Sequence, residues 1–199
     1  DYSSFLPLTI KSDTVEIIGQ SEENVVLKNM DNDQNKPVIY CLGDSIIINY
    51  LSLSCANRNY YVMELLGDQI NVEHIHIKPL PGRTKVAGGI KGRGNNMIFR
   101  DVFLDNSYWG MEIGSTGGIV ENCHFITERL AVSLTGENTI VRNNIIDVQL
   151  LNRAISVASV NNGTGDQIIE NNNITLLSDY TVNSHGIITI SRNALSGNY

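Results

Sequence analysis

One short phrase recurs along this chain, and it limits the folds available more than any other feature. Ile119–Phe125 reads IVENCHF, Ile140–Ile146 reads IVRNNII, and Ile168–Ile174 reads IIENNNI. Each copy is an aliphatic pair, a variable residue, an Asn, two further residues and a large apolar one. A unit this short cannot bury its own apolar side, so its copies must stack. Taking the second residue of each aliphatic pair as an anchor gives Ile48, Val72, Ile98, Val120, Val141 and Ile169, with spacings of 24, 26, 22, 21 and 28 residues.

The apolar pieces inside each unit run three to five residues, alternate with polar ones and favour Val and Ile. That is strand periodicity. No amphipathic segment of helical length separates them, so a βαβ layout is excluded. The irregularity falls in one place, after the third strand, at CANRNY, KPLPGRTK and DVQLLNR. Three short strands with two tight corners and one variable corner account for the pattern. Stacked at ~4.8 Å, such coils make an all-β parallel β-helix. The expectation is a single domain over residues 1–199, of about seven to eight coils and cut from a longer solenoid. A leucine-rich repeat is excluded because its LxxLxLxxN frame is absent.

The pattern resembles the right-handed, single-stranded parallel β-helix of the pectate-lyase-like superfamily, in its polysaccharide-active and phage-tailspike branch. The resemblance runs from Leu8 to the end. In that family's terms Ala131–Leu134 is a PB1 strand, TIV at 139–141 is PB2 and NII at 144–146 is PB3. The tight corner between PB2 and PB3 then holds Asn122, Asn143 and Asn171, preceded in earlier coils by Tyr50, His74 and Arg100. Asn suits such a corner because it tolerates the left-handed conformation, and its amide can donate to the next coil's Asn. The chain lacks the WIDH and RxPxxR elements of pectate lyases and the acidic series of polygalacturonase-type hydrolases, so no catalytic residue carries over. The resemblance implies a polysaccharide partner, an extracellular or virion location, and a homotrimer among the assemblies.

Net charge is −7, with 42% hydrophobic and 18% charged residues. This is the composition of a folded chain, and its sign disfavours nucleic acid. No apolar run reaches the ~18 residues of a membrane helix. The three cysteines, Cys41, Cys55 and Cys123, have no CxxC spacing and read as small buried residues.

A solenoid interior is filled with aliphatics, so function must come from outward side chains. Alternation along PB1 puts Tyr40, Glu64, Gly89, Glu112, Ser133, Ser156 and Thr189 in one outward row. Leu42, Leu66, Lys91, Thr135, Ala158 and Ser191 fall in a second. Glu64 and Glu112 thus stand two coils apart, ~9.6 Å of rise. That is near the ~6.5–9.5 Å carboxylate separation of inverting glycosidases. Gly89 would leave room between them for a sugar. Glu64, Glu112 and Lys91 are therefore the candidate catalytic residues. Arg93, with Arg83 and Lys85, forms the local basic cluster. Tyr108, Trp109 and Tyr61, at the corner leading into PB1, are candidate sugar-stacking residues, as are Tyr60 and Tyr180; Ser133 is a candidate hydrogen-bonding residue. No cofactor or metal is implied. The expected function is a polysaccharide-binding domain, and a glycoside hydrolase or lyase if catalytic. The alternative is a structural or adhesive spike without chemistry.

Overall fold

The computed structural model describes residues 3–4, 7–21, 25–29, 36–55, 61–149, 153–158, 166–177 and 188–190. All regular structure in them is β-strand, and the strands pair in parallel into one sheet system. No helix among these residues is long and apolar enough to cross a membrane.

Parallel pairing between segments 20–33 residues apart makes three ladders. The PB1 ladder runs through Leu8–Ile10, Ile39–Cys41, Tyr61–Leu65 and Val86–Arg93. It continues through the ends of Ile98–Gly114 and His124–Thr135 to Arg153–Ala158 and Ile188–Ile190. The PB2 ladder aligns Ile48, Val72, Phe99, Val120, Val141 and Ile169. The PB3 ladder aligns Leu53, Ile77, Leu104, Phe125, Ile146 and Ile174. The chain is a parallel β-solenoid. About five coils, between residues 36 and 149, lie almost wholly within the described residues, against the seven to eight expected, and strands on either side extend the same ladders.

Each ladder contributes an inward column. On PB1 one column is Ile39, Met63, Ile90, Met111, Val132 and Ile155, each at most 1% exposed. Phe99 from PB2 and Phe125 from PB3 are the largest fully buried side chains. Like residues stack on like because the coil returns every side chain to the same place.

The corner from PB1 to PB2 explains the LGD phrases of the sequence. A Cβ on Gly43, Gly67, Gly94 or Gly136 would lie 2.2, 1.9, 2.1 or 2.0 Å from a backbone oxygen of the preceding coil. Only glycine lets the coils close to stacking distance there. The next residue ties the coils together: Asp13, Asp44 and Asp68 each accept the backbone N–H of the corresponding residue one coil on, at 2.7–2.9 Å. The left-handed position follows, at Thr14, Ser45, Gln69, Asn96, Gly117 and Asn138.

The corner from PB2 to PB3 differs from expectation in two ways. Its left-handed residues are Tyr50, His74, Asp101, Asn122, Asn143 and Asn171, so Asp101 and not Arg100 stands there. The third PB2 anchor is accordingly Phe99, because Met97 and Phe99 point inward and Ile98 points out. The stacked amides also belong to the following residue. Asn144 is buried, accepts the Cys123 N–H at 2.9 Å and donates to Val120 O and to Asn172 Oδ1 at 3.1 and 2.9 Å. Asn122, Asn143 and Asn171 are exposed and supply the backbone conformation alone.

Candidate functional site on the PB1 face

The register of PB1 brings the three candidate catalytic residues together more closely than alternation suggested. Glu64 pairs with Lys91, and Lys91 with Glu112, so all three occupy one outward row on consecutive coils. Tyr40 precedes them, and Ser133 and Ser156 continue the row. Gly89 is not in this row. It faces inward, where a Cβ would lie 2.0 Å from Leu104 Cδ2. The gap expected between the two carboxylates is therefore filled by Lys91. Arg93 takes the place expected for Lys91 in the second outward row, and is exposed. The offset of two residues arises because Val86–Arg93 is a long strand that opens with small residues, and local alternation cannot tell which of its glycines turns in.

Lys91 Nζ lies 3.5 Å from Glu64 Oε1, with the two side chains only 19% and 13% exposed. Glu112 Oε2 accepts the Tyr61 hydroxyl at 2.7 Å, and among the described residues this is the only partner of that carboxylate. Tyr61 stands two coils before Glu112, so its ring must cross the intervening coil to reach it. It does so over Gly88, the residue with which Tyr61 pairs. Lys91 Nζ is 6.0 Å from the Tyr61 ring centroid, at the outer limit of a cation–π contact. The result is a half-buried cluster of two carboxylates, one ammonium and one phenol on an otherwise open sheet.

Trp109 shares the Tyr61 and Gly88 column one coil further on. Its ring meets Tyr108 edge-on, with centroids 5.4 Å apart, and Arg129 lies over both, 4.5 Å from Tyr108 and 5.9 Å from Trp109. Both rings are half-buried. The arrangement forms an aromatic shoulder beside the Glu112 row, with the Arg129 guanidinium over Tyr108 and at the outer limit of contact with Trp109. Ser133 sits one coil past Glu112 and is also half-buried. Lys85 pairs with Glu128 at the corner below. Tyr60 and Tyr180 lie outside the described residues.

Sequence reasoning missed Gly88, the residue that lets Tyr61 reach Glu112. Its only trace was the GG pair, which was assigned to the wrong glycine. On the outer face of PB3, His76, Phe103 and His124 stack ring on ring, 4.7 and 4.9 Å apart, and His124 Nε2 lies 3.1 Å from Asp147 Oδ2. Burial, aided by nearby Lys78, holds the His76 imidazole below its usual range, and its Nε2 is buried without a hydrogen-bond partner among the described residues. No group of three His, Cys, Asp or Glu among the described residues is placed to hold a metal ion. The three cysteines are buried thiols, and burial pushes Cys123 up to about 12. The chain matches no family model, no curated protein and no solved structure.

Proposed function

We propose that the chain is a polysaccharide-binding solenoid whose PB1 face holds the sugar chain, and that Glu64, Lys91 and Glu112 are the residues that act on it. The observation that carries the reading is the single outward row Glu64, Lys91, Glu112, flanked by Tyr61 and by the Tyr108–Trp109 shoulder. A row of polar groups at ~4.8 Å spacing suits a linear ligand lying along the solenoid axis. Aromatic edges suit the apolar faces of sugar rings. Within that row the two carboxylates have different neighbours. Glu64 lies beside the Lys91 ammonium and Glu112 accepts the Tyr61 hydroxyl, its one partner among the described residues; two carboxylates on one face of a bound sugar chain are the groups that acid–base cleavage of a glycosidic bond uses. Lys91, between them, would bind a hydroxyl or a carboxylate of the ligand.

The test is to incubate the chain with a panel of bacterial and plant polysaccharides and follow binding and reducing-end release. If the reading holds, Glu112→Gln and Glu64→Gln each lower turnover by about a hundredfold or more. Unchanged turnover in both variants removes the catalytic assignment, and absence of any binding removes the polysaccharide reading.

A second reading, a structural or adhesive spike assembled from copies of this chain, has its own observation. The outer face of PB2 carries a column of Ile47, Ile98, Ile119, Ile140 and Ile168, interrupted by Asn71. Apolar columns on an outer sheet face suit a subunit seam. Sedimentation of the chain and of Ile119→Lys distinguishes the two: a trimer that the substitution splits supports the spike, and a monomer in both removes it.

A further inference from the structure

The Tyr61–Glu112 bond spans two coils, and one residue on the coil between them makes it geometrically possible. A Cβ built on Gly88 would lie 2.8 Å from Tyr61 Cδ1, 3.1 Å from Cε1 and 3.2 Å from Cγ. Real Cβ atoms do not approach ring carbons that closely, so any side chain at 88 displaces the Tyr61 ring. Gly88 itself is buried beneath that ring. Its backbone is not in a left-handed conformation, so the glycine is not required by the turn chemistry of the strand. Its role is one of space. The hydroxyl of Tyr61, carried over Gly88, then fixes one oxygen of Glu112, while Lys91 on the same intervening coil holds Glu64.

We infer that Gly88 is a positioning residue of the PB1 site: it provides the seat in which the Tyr61 ring lies, and through that ring it sets the direction in which Glu112 is presented beside Lys91. The inference rests on the polysaccharide reading only for what the site is used for; the seat itself is a property of the free chain. Gly88, Tyr61 and Glu112 then act as one unit, and a substitution at Gly88 reproduces the loss of the Tyr61 hydroxyl although the hydroxyl is still present.

The experiment follows the side-chain carboxyl 13C signal of Glu112 in the full chain, assigned by its disappearance in Glu112→Gln. Tyr61→Phe is expected to shift that signal at neutral pH. Gly88→Ala is expected to shift it in the same direction by a similar amount, and the double variant to add nothing further. A wild-type signal in folded Gly88→Ala overturns the inference. Should Gly88→Ala fold poorly, Gly88→Ala in a Tyr61→Ala background decides. With the ring gone the alanine has room, and the melting temperature should return to that of Tyr61→Ala alone. A double variant that melts as far below Tyr61→Ala as Gly88→Ala melts below wild type places the constraint elsewhere and overturns it too. Glycan binding is measured on the same variants. If the signal moves as expected and no polysaccharide binds the wild-type chain, the seat stands and the polysaccharide reading falls.

Discussion

Two faces of this solenoid carry the same alternation of acid and base, and they use it in opposite ways. On PB2 the outward column is Glu73, Arg100, Glu121, Arg142 and Glu170. On PB1 it is Glu64, Lys91 and Glu112. In the PB2 column Glu121 is only 8% exposed and accepts from both neighbours, Arg100 Nε on one side and Arg142 Nε at 2.6 Å on the other. Arg100 also donates to Glu73 at 3.2 Å. The hydrogen bonds from Arg100 and Arg142 hold the Glu121 carboxyl below the usual range against the opposing effect of burial, and the same contacts raise Arg100. Both oxygens of Glu121 accept a guanidinium hydrogen bond, and the side chain is almost wholly covered. On PB1 the corresponding carboxylate, Glu112, is tied by one oxygen to a phenol two coils away. A saturated column fixes coil against coil. Glu112 has that one partner among the described residues, and its other oxygen keeps capacity for something from outside.

That contrast can be broken most severely through the core that both faces share. Phe99→Ala removes the largest inward side chain beneath the PB2 column and should cost about 3–5 kcal/mol. Chemical denaturation measures it, and a loss confined to PB2 with PB1 binding intact would show that the faces fold independently. Next is Glu121→Gln, which leaves two guanidiniums without their shared anion. They are 36% and 38% exposed and regain water, so the expected loss is about 2 kcal/mol and not the full cost of a buried charge. Glu112→Gln should stay within about 0.5 kcal/mol of wild type. If Glu112→Gln destabilised as much as Glu121→Gln, the distinction between the columns would be lost.

The smaller effects are those of pH. Glu121 titrates below its unfolded value when folded, so its contribution is present above about pH 4.5 and lost as the pH falls through the lower folded value. His76 is also depressed. Below pH 6.5 the unfolded chain takes up a proton that the folded chain refuses, so stability falls from pH 6.5 down to the folded value of His76. Urea midpoints measured from pH 7 to pH 3 should therefore fall in two stages. His76→Phe should remove the upper stage and Glu121→Gln the lower. A single stage that survives both substitutions would place the acid sensitivity elsewhere.

Much of the fold was legible in the residues. The repeated aliphatic pair, the short β-branched runs and the lack of helical segments dictated a parallel solenoid, because no other arrangement buries so short a unit. The alternation that puts Glu64, Glu112 and Ser133 outward also turns their neighbours Met63, Leu65, Met111, Ile113, Val132 and Leu134 inward, and all six are buried. Glu64 and Glu112 were placed outward by the same rule.

What local pattern could not supply was register where the coil length changes. In Ile98–Gly114 a slip of one residue moves Phe99 into the core and puts Asp101, not Arg100, at the corner. In Val86–Arg93 a slip of two brings Lys91 into line with both glutamates. Alternation is blind to shifts of two and cannot anchor a strand that begins with small residues. Stacking against the coils before and after sets those registers, by steric fit at Gly89 against Leu104 and at Gly88 beneath Tyr61. The sequence by itself determined the solenoid and the outward carboxylates. Only the tertiary structure decided which cation lies between them and which phenol reaches across, because both depend on contacts between coils more than twenty residues apart.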